Sequence, residues 1–92
     1  MKTPIVSFLK SYQEKSPVRM HMPGHKGAGI LGFEGMDLTE IYGADELFAV
    51  EGIIKESEQN ASSLFGCPTY YSTQGSTLCI QTMCTILCQD AK

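Results

Sequence analysis

The sequence predicts an α/β fold made of an N-terminal helix, a glycine-rich segment, a second helix, a short strand, a glycine turn and a third helix. Three observations predict it. Apolar residues recur at helical spacing behind Thr3-Pro4. Five of the nine glycines lie within residues 23–35, which indicates a long loop. A β-branched and aromatic run, Thr69–Thr73, then leads through Gly75 into a long apolar run, as in a strand that turns into a helix.

Length and charge limit the classes of function. The 92 residues allow one small domain, and a net charge of -3 without a lysine or arginine cluster argues against nucleic-acid binding. No run of about 18 apolar residues predicts a membrane span. Lys2 is not followed by a long apolar stretch, so we expect no signal peptide, a cytoplasmic location and four reduced cysteines.

The first two elements follow from spacing and from helix-end residues. Thr3 and Pro4 suit the N-cap and first position of a helix that ends by Ser16-Pro17. Its apolar residues recur at i, i+3, i+4 and i+7: Ile5, Phe8, Leu9 and Tyr12. The glycine-rich loop that follows is either a flexible connector or a functional loop, and residues 37–48 stay unassigned.

The second half predicts a helix, a strand and a further helix. Residues 52–65 carry apolar residues on one side, and Gly66 with Pro68 suits a helix end. The predicted strand is Thr69–Thr73. The last helix, from Ser76 to about Cys88, is apolar nearly all round, and such a helix is normally buried inside a larger protein. Cys84 and Cys88 are four residues apart, and we interpret them as small buried hydrophobes rather than metal ligands.

The glycine turn is the main candidate site. A strand that turns through Gly75 into a helix presents backbone N–H groups without intrahelical partners, and the helix dipole favours an anion there. Ser76 and Thr77 add two hydroxyl donors. The turn lacks the spacing of a P-loop or of G-x-G-x-x-G, so a generic strand-to-helix turn is the alternative.

The second candidate group lies in the glycine-rich loop. His21 and His25 are four residues apart, but Pro23 and Gly24 between them make a helix, and hence a zinc site, improbable. Lys26 is either an electrostatic contact for an anion or a solvated loop lysine. The sequence predicts no metal site.

Several motifs in the correct order resemble the ornithine/lysine/arginine decarboxylases. Residues 21–27 read HMPGHKG, which looks like a signature of that family. Residues 37–41 (DLTEI), 43–48 (GADELF) and 52–56 (GIIKE) fit its next segments, and residues 74–77 (QGST) fall at its glycine-hydroxyl turn. The resemblance covers about Ile5 to Cys88.

The resemblance implies a pyridoxal-phosphate enzyme of polyamine metabolism with the aspartate-aminotransferase fold (fold type I). Residues 1–17 would be a docking helix, residues 18–51 an extended and glycine-rich segment, and residues 52–92 the start of the large domain. Gly75, Ser76 and Thr77 would hold the cofactor phosphate, and His21, His25 and Lys26 would be loop contacts near the site.

The same resemblance leaves the catalytic residues unmatched. The family's Schiff-base lysine, pyridine carboxylate and stacking aromatic normally lie downstream of the glycine-hydroxyl turn, and Lys26 does not match the lysine motif. We therefore expect no catalytic residue here and a truncated N-terminal portion that is inactive alone. Its partners would be the rest of the decarboxylase chain or a homo-oligomer, with a basic amino acid as substrate. The alternative is a non-catalytic interaction protein or a split-enzyme half.

Overall fold

A computed structural model describes residues 2–89 of the chain and contains three α-helices. They are α1 (Pro4–Glu14), α2 (Ile53–Phe65) and α3 (Gly75–Gln89), and a single 3₁₀ turn covers Glu34–Met36. Each helix lies where the sequence predicts one. Residues 69–73 carry no regular secondary structure. A strand needs a paired neighbour, and residues 2–89 contain none, so the α/β class stays a prediction.

Helix α1 is the element on which the N-terminal two thirds of the chain is assembled. Thr3 occupies the N-cap position but makes no side-chain cap, and Pro4 at the first turn is buried. The helix ends at Glu14, and Lys15 closes it with a backbone hydrogen bond to Ser11 of 3.3 Å. Helix α1 packs against both α2 and the 3₁₀ turn. It therefore joins the glycine-rich segment to the second helix.

Helix α2 begins at a cap that the sequence does not reveal. Its own N-cap residue, Gly52, has no side chain to accept a hydrogen bond. The carboxylate of Asp45 takes that role from seven residues upstream, with a backbone φ of 68° that few non-glycine residues adopt. Oδ1 accepts the N–H groups of Glu46 (2.9 Å) and Glu51 (3.0 Å), and Oδ2 those of Gly52 (2.9 Å), Ile54 (2.9 Å) and Lys55 (3.4 Å).

These hydrogen bonds change the acidity of Asp45. The N–H of Glu51, together with those of Glu46, Gly52 and Ile54, holds the pKa of the Asp45 carboxyl well below its ordinary value of 3.8 and outweighs partial desolvation. The ionised form therefore stabilises the folded loop. Because Oδ1 bonds to both Glu46 and Glu51, it also closes the short loop between them.

The segment after α2 lies along that helix. Gly66 ends α2 in the left-handed region, with a φ of 70°, as the sequence predicts. The N–H of Thr69 donates to the Ser62 hydroxyl at 2.8 Å, and the N–H of Tyr71 donates to Oε1 of Glu58 at 2.8 Å. The Glu58 side chain is buried, with 7% exposure, so this bond also satisfies a buried carboxylate. Helix α2 thus positions the residues that lead into the glycine turn.

Helix α3 is uncovered. All of its residues except Leu78 are exposed, and it packs against no other helix among residues 2–89. This exposure agrees with the expectation that such a helix is covered only inside a larger protein. Cys79, Cys84 and Cys88 are exposed here, and the burial of these thiols in an assembled protein stays a prediction. Within the same residues, no helix combines the length and apolar character that crossing a membrane requires.

We predict that Asp45→Asn weakens the start of α2 at neutral pH, because an amide offers one acceptor oxygen where the carboxylate offers two. Circular dichroism against pH measures the helix content. A group with a lowered folded-state pKa stabilises above its unfolded pKa, so the advantage of the wild type should be full at pH 7 and fade as the pH falls below about 4.

Glu46→Gln is the matched control, because it removes a neighbouring carboxylate while keeping the backbone N–H that Asp45 accepts. Glu34 also has a lowered pKa, chiefly through the N–H of Leu31, so the difference between wild type and variant is the quantity to compare. An equal loss of helix in both variants would contradict the assigned role of Asp45.

Candidate functional site

The first candidate site is the N-terminal turn of α3. The helix begins at Gly75 with a φ of 70°, and a side chain there would meet open space, so the approach to the turn is free. The N–H groups of Gly75, Ser76 and Thr77 precede the first intrahelical hydrogen bond. Among residues 2–89 the Ser76 and Thr77 hydroxyls also lack hydrogen-bond partners, and they differ in this from hydroxyls further along the helix. Those of Thr82 and Thr85 bond back to Leu78 (2.9 Å) and Gln81 (2.8 Å).

A small cavity of about 100 Å³ adjoins this turn and brings a second part of the chain to it. Leu47 and Phe48, from the loop that Asp45 closes, form one wall. The other wall is residues 71–74 with Leu78. The sequence analysis left residues 37–48 unassigned and so missed this wall. The available signal was an apolar pair between acidic residues, which is too common to be informative.

The glycine-rich loop forms a separate cluster against α1. His21 contacts the Tyr12 hydroxyl through Nε2 at 2.8 Å, and its Nδ1 bonds to the carbonyl of Met22. A carbonyl only accepts, so the proton is on Nδ1 and the Tyr12 hydroxyl donates to Nε2. His21 thus fixes the loop to the first helix.

His25 carries its proton on the other nitrogen. The N–H of Gly27 donates to Nδ1 at 3.0 Å, so Nε2 donates to Oδ2 of Asp37 at 3.2 Å. Lys26, with a backbone φ of 55°, donates from Nζ to the His21 carbonyl at 2.7 Å. Both nitrogens of His25 and one donor of Lys26 are therefore used to hold the loop.

Arg19 is a further part of this cluster, and the sequence analysis missed it. Its guanidinium donates to the carbonyls of Gly35 (2.5 Å) and Glu34 (3.4 Å) and lies 5.1 Å from the centre of the Tyr12 ring. It also lies against Gly27, where a Cβ would come within 2.6 Å of the guanidinium carbon. Arg19 therefore joins both ends of the glycine-rich loop to α1. An arginine in a short alternating run gives no hint of this role.

The structure keeps the two predicted groups apart. No hydrogen bond within residues 2–89 joins His21, His25 or Lys26 to the turn at Gly75, and the cavity beside that turn contains none of the three. In the same part of the chain, no group of three or more histidine, cysteine or acidic side chains is arranged to hold a metal ion. The turn at Gly75 presents backbone N–H groups and the hydroxyls of Ser76 and Thr77 as hydrogen-bond donors.

Comparison with known proteins gives the chain its relatives. It is 37% identical over 98 residues to the arginine decarboxylase of Bacillus subtilis. The alignment covers 95% of this chain and 20% of that protein. The chain is similar to one part of the arginine decarboxylases. Two further arginine decarboxylases match the same region. That of Halalkalibacterium halodurans is 38% identical, with 89% of this chain and 19% of the relative aligned. That of Bacillus cereus is 33% identical, with 95% of this chain and 21% of the relative aligned.

The chain spans only about one fifth of the length of these arginine decarboxylases. No protein-family model matches the chain, and no solved structure matches it.

We predict that the two loop histidines are opposite tautomers. Long-range ¹⁵N NMR at a pH where both rings are neutral should find the proton of His21 on Nδ1 and that of His25 on Nε2. Tyr12→Phe removes the hydroxyl that holds His21 and should shift its ring nitrogens, while Tyr42→Phe, at a fully exposed ring, should leave them unchanged. A proton on Nε2 in both rings would contradict the assigned geometry.

Proposed function

We propose that this chain supplies the phosphate-binding turn of a pyridoxal-phosphate-dependent decarboxylase that acts on a basic amino acid. The observation that carries the proposal is the start of α3, where backbone N–H groups and two hydroxyls without partners share one open turn. Similarity to arginine decarboxylases over nearly the whole chain supports the same assignment. Those relatives make arginine the first substrate to test.

The donor set fits the phosphate of this cofactor. A phosphate ester carries close to two negative charges and three acceptor oxygens, and the helix N-terminus supplies neutral donors together with a positive dipole end. Gly75 keeps the turn free of a side chain, while Ser76 and Thr77 add hydroxyls. Each charge-assisted bond contributes roughly 1.5–3 kcal/mol. When bound, the cofactor accepts the electron pair left as the substrate carboxylate departs as carbon dioxide.

The other residues of the chain hold and shape the site. Leu47 and Phe48 form an apolar wall beside the turn. Lys26 donates to the His21 carbonyl and serves the loop, in agreement with its lack of a match to the Schiff-base lysine motif. We place the covalent lysine, the pyridine carboxylate and the stacking aromatic outside the matched region. They would lie in polypeptide that corresponds to the four fifths of the arginine decarboxylases not matched by this chain. The chain alone is therefore inactive, and the assembled enzyme belongs in the cytoplasm.

A second candidate function is docking without catalysis. Helix α3 exposes Ile80, Met83, Ile86 and Leu87, each by more than half of its surface, and such a row favours a partner chain. In this reading the chain is an interaction protein or one half of a split enzyme. The two functions differ in whether the turn at Gly75 binds phosphate.

We predict that pyridoxal phosphate shifts the amide resonances of residues 75–78 in an NMR titration of the chain, and that pyridoxal, which lacks the phosphate, leaves them in place. Thr77→Ala should weaken the binding by roughly tenfold or more, because one charge-assisted bond is lost. Thr82→Ala is the matched control, since that hydroxyl is already bonded to Leu78. Equal shifts with both compounds, or none with either, would overturn the assignment and leave the docking function.

Borohydride reduction in the presence of pyridoxal phosphate, followed by mass mapping, tests the assignment of the covalent lysine. We expect no specific adduct on Lys26 and no release of carbon dioxide from arginine, lysine or ornithine by the chain alone. A stoichiometric adduct on Lys26 would mean that this chain carries its own cofactor chemistry.

A further inference from the structure

The turn at residues 25–28 contains a left-handed residue that is not glycine. Lys26 has a backbone φ of 55°, and Gly27 has one of 82°. The N–H of Ala28 closes the turn by donating to the carbonyl of His25 at 2.9 Å. A lysine rarely adopts this conformation, and such a residue persists only where its surroundings hold it. The turn therefore depends on contacts beyond its own backbone.

Two side-chain contacts hold the turn. Nδ1 of the His25 ring accepts the N–H of Gly27 at 3.0 Å, and Nζ of Lys26 donates to the carbonyl of His21 at 2.7 Å. The first contact requires an unprotonated Nδ1, because a backbone N–H only donates. The neutral ring of His25 therefore keeps the turn closed.

A proton added to His25 goes to the nitrogen that holds the turn. Nε2 already carries the proton that it donates to Oδ2 of Asp37, at 3.2 Å, so the second proton binds Nδ1. In the charged ring, the N–H at Nδ1 faces the N–H of Gly27, and two opposed donors replace a hydrogen bond. Protonation thus removes the contact that keeps Gly27 in place.

The charges around the His25 ring favour this release. Two carboxylates and two cations surround it: Asp37, Glu34, Lys26 and Arg19. The guanidinium of Arg19 lies against Gly27, on the side of the ring that gains the proton. The carboxylates attract the charged ring and the guanidinium repels it, so both effects draw the ring away from Gly27.

His21, the other histidine of the loop, responds differently to a proton. Its Nε2 accepts from the hydroxyl of Tyr12 on α1 at 2.8 Å. A hydroxyl can rotate and can accept as well as donate, so this contact survives protonation of Nε2. His21 therefore stays attached to α1 in both charge states, and the change in structure is confined to the turn at His25.

We propose that His25 makes the turn at residues 25–28 a pH-sensitive switch, in which the neutral ring keeps the turn closed and the protonated ring opens it. Histidine is the side chain whose charge ordinarily changes between about pH 5 and 8, so the switch operates near neutral pH. Opening lets Lys26 leave its left-handed conformation and frees its ammonium group from the His21 carbonyl. The switch does not depend on phosphate binding at Gly75.

The test is an NMR titration of the chain between about pH 7.5 and 5. The ring resonances of His25 report its protonation, and amide exchange at Gly27, corrected for the intrinsic effect of pH on exchange, reports the turn. We expect protection of the Gly27 amide to fall about tenfold or more at the midpoint of the ring titration, because one hydrogen bond is lost. The amides at the start of α2, held by Asp45, should stay protected over this range, which separates the switch from acid unfolding.

Two variants separate His25 from its neighbours. His25→Asn places an amide oxygen near the position of Nδ1, so that it accepts the Gly27 N–H but does not titrate, and the turn should stay closed throughout. His21→Gln keeps an acceptor for the Tyr12 hydroxyl and should show the same response to pH as the wild type.

Four results would overturn the proposal. Constant protection at Gly27 while the His25 ring titrates would show that the charge does not open the turn. Opening of the turn in His25→Asn at the wild-type midpoint would assign control to another group. Loss of the response in His21→Gln would transfer the switch to His21. A Gly27 amide that exchanges freely at neutral pH would mean that the ring does not hold the turn.

Discussion

The carboxylate of Asp45 is the constraint on which the rest of the structure depends. It accepts five backbone N–H groups, fixes the start of α2 and closes the loop that carries Leu47 and Phe48. Helix α2 in turn holds the segment at Tyr71 through the buried carboxylate of Glu58, and that segment leads into the turn at Gly75. The proposed phosphate site is thus positioned by a carboxylate that does not touch it.

Hydrogen bonds, more than a hydrophobic core, hold the backbone of the described residues in place. No hydrophobic residue among residues 2–89 is fully buried, and α3 is exposed along its length. Burial of a large aliphatic side chain contributes roughly 1.5–3 kcal/mol, and the apolar residues of α3 are already partly covered, so each would add somewhat less than that on assembly. Several such residues on one helix would favour association with a partner polypeptide. Local hydrogen bonds set the shape of the site, and assembly would supply its stability.

Helix positions could be predicted from the sequence, but contacts across the chain could not. The spacing of Ile5, Phe8, Leu9 and Tyr12 locates α1, and Gly66 locates the end of α2, because both signals are local. Asp45 acts on residues up to ten positions away from a left-handed backbone conformation, and no local pattern marks it. Arg19 likewise bonds to carbonyls 15 and 16 residues later. The predicted strand depends on pairing, which residues outside this chain would provide.

We propose that this chain provides the phosphate turn of a pyridoxal-phosphate-dependent decarboxylase, and one measurement tests this most directly. It is the release of labelled carbon dioxide from carboxyl-labelled arginine, as a function of pyridoxal phosphate concentration, by a chimaera in which this chain replaces the matching fifth of the Bacillus subtilis arginine decarboxylase. The account predicts activity that saturates with the cofactor, and a requirement for more cofactor when Ser76 and Thr77 are both replaced by alanine. A folded chimaera that binds pyridoxal phosphate equally well with and without these two hydroxyls would contradict it.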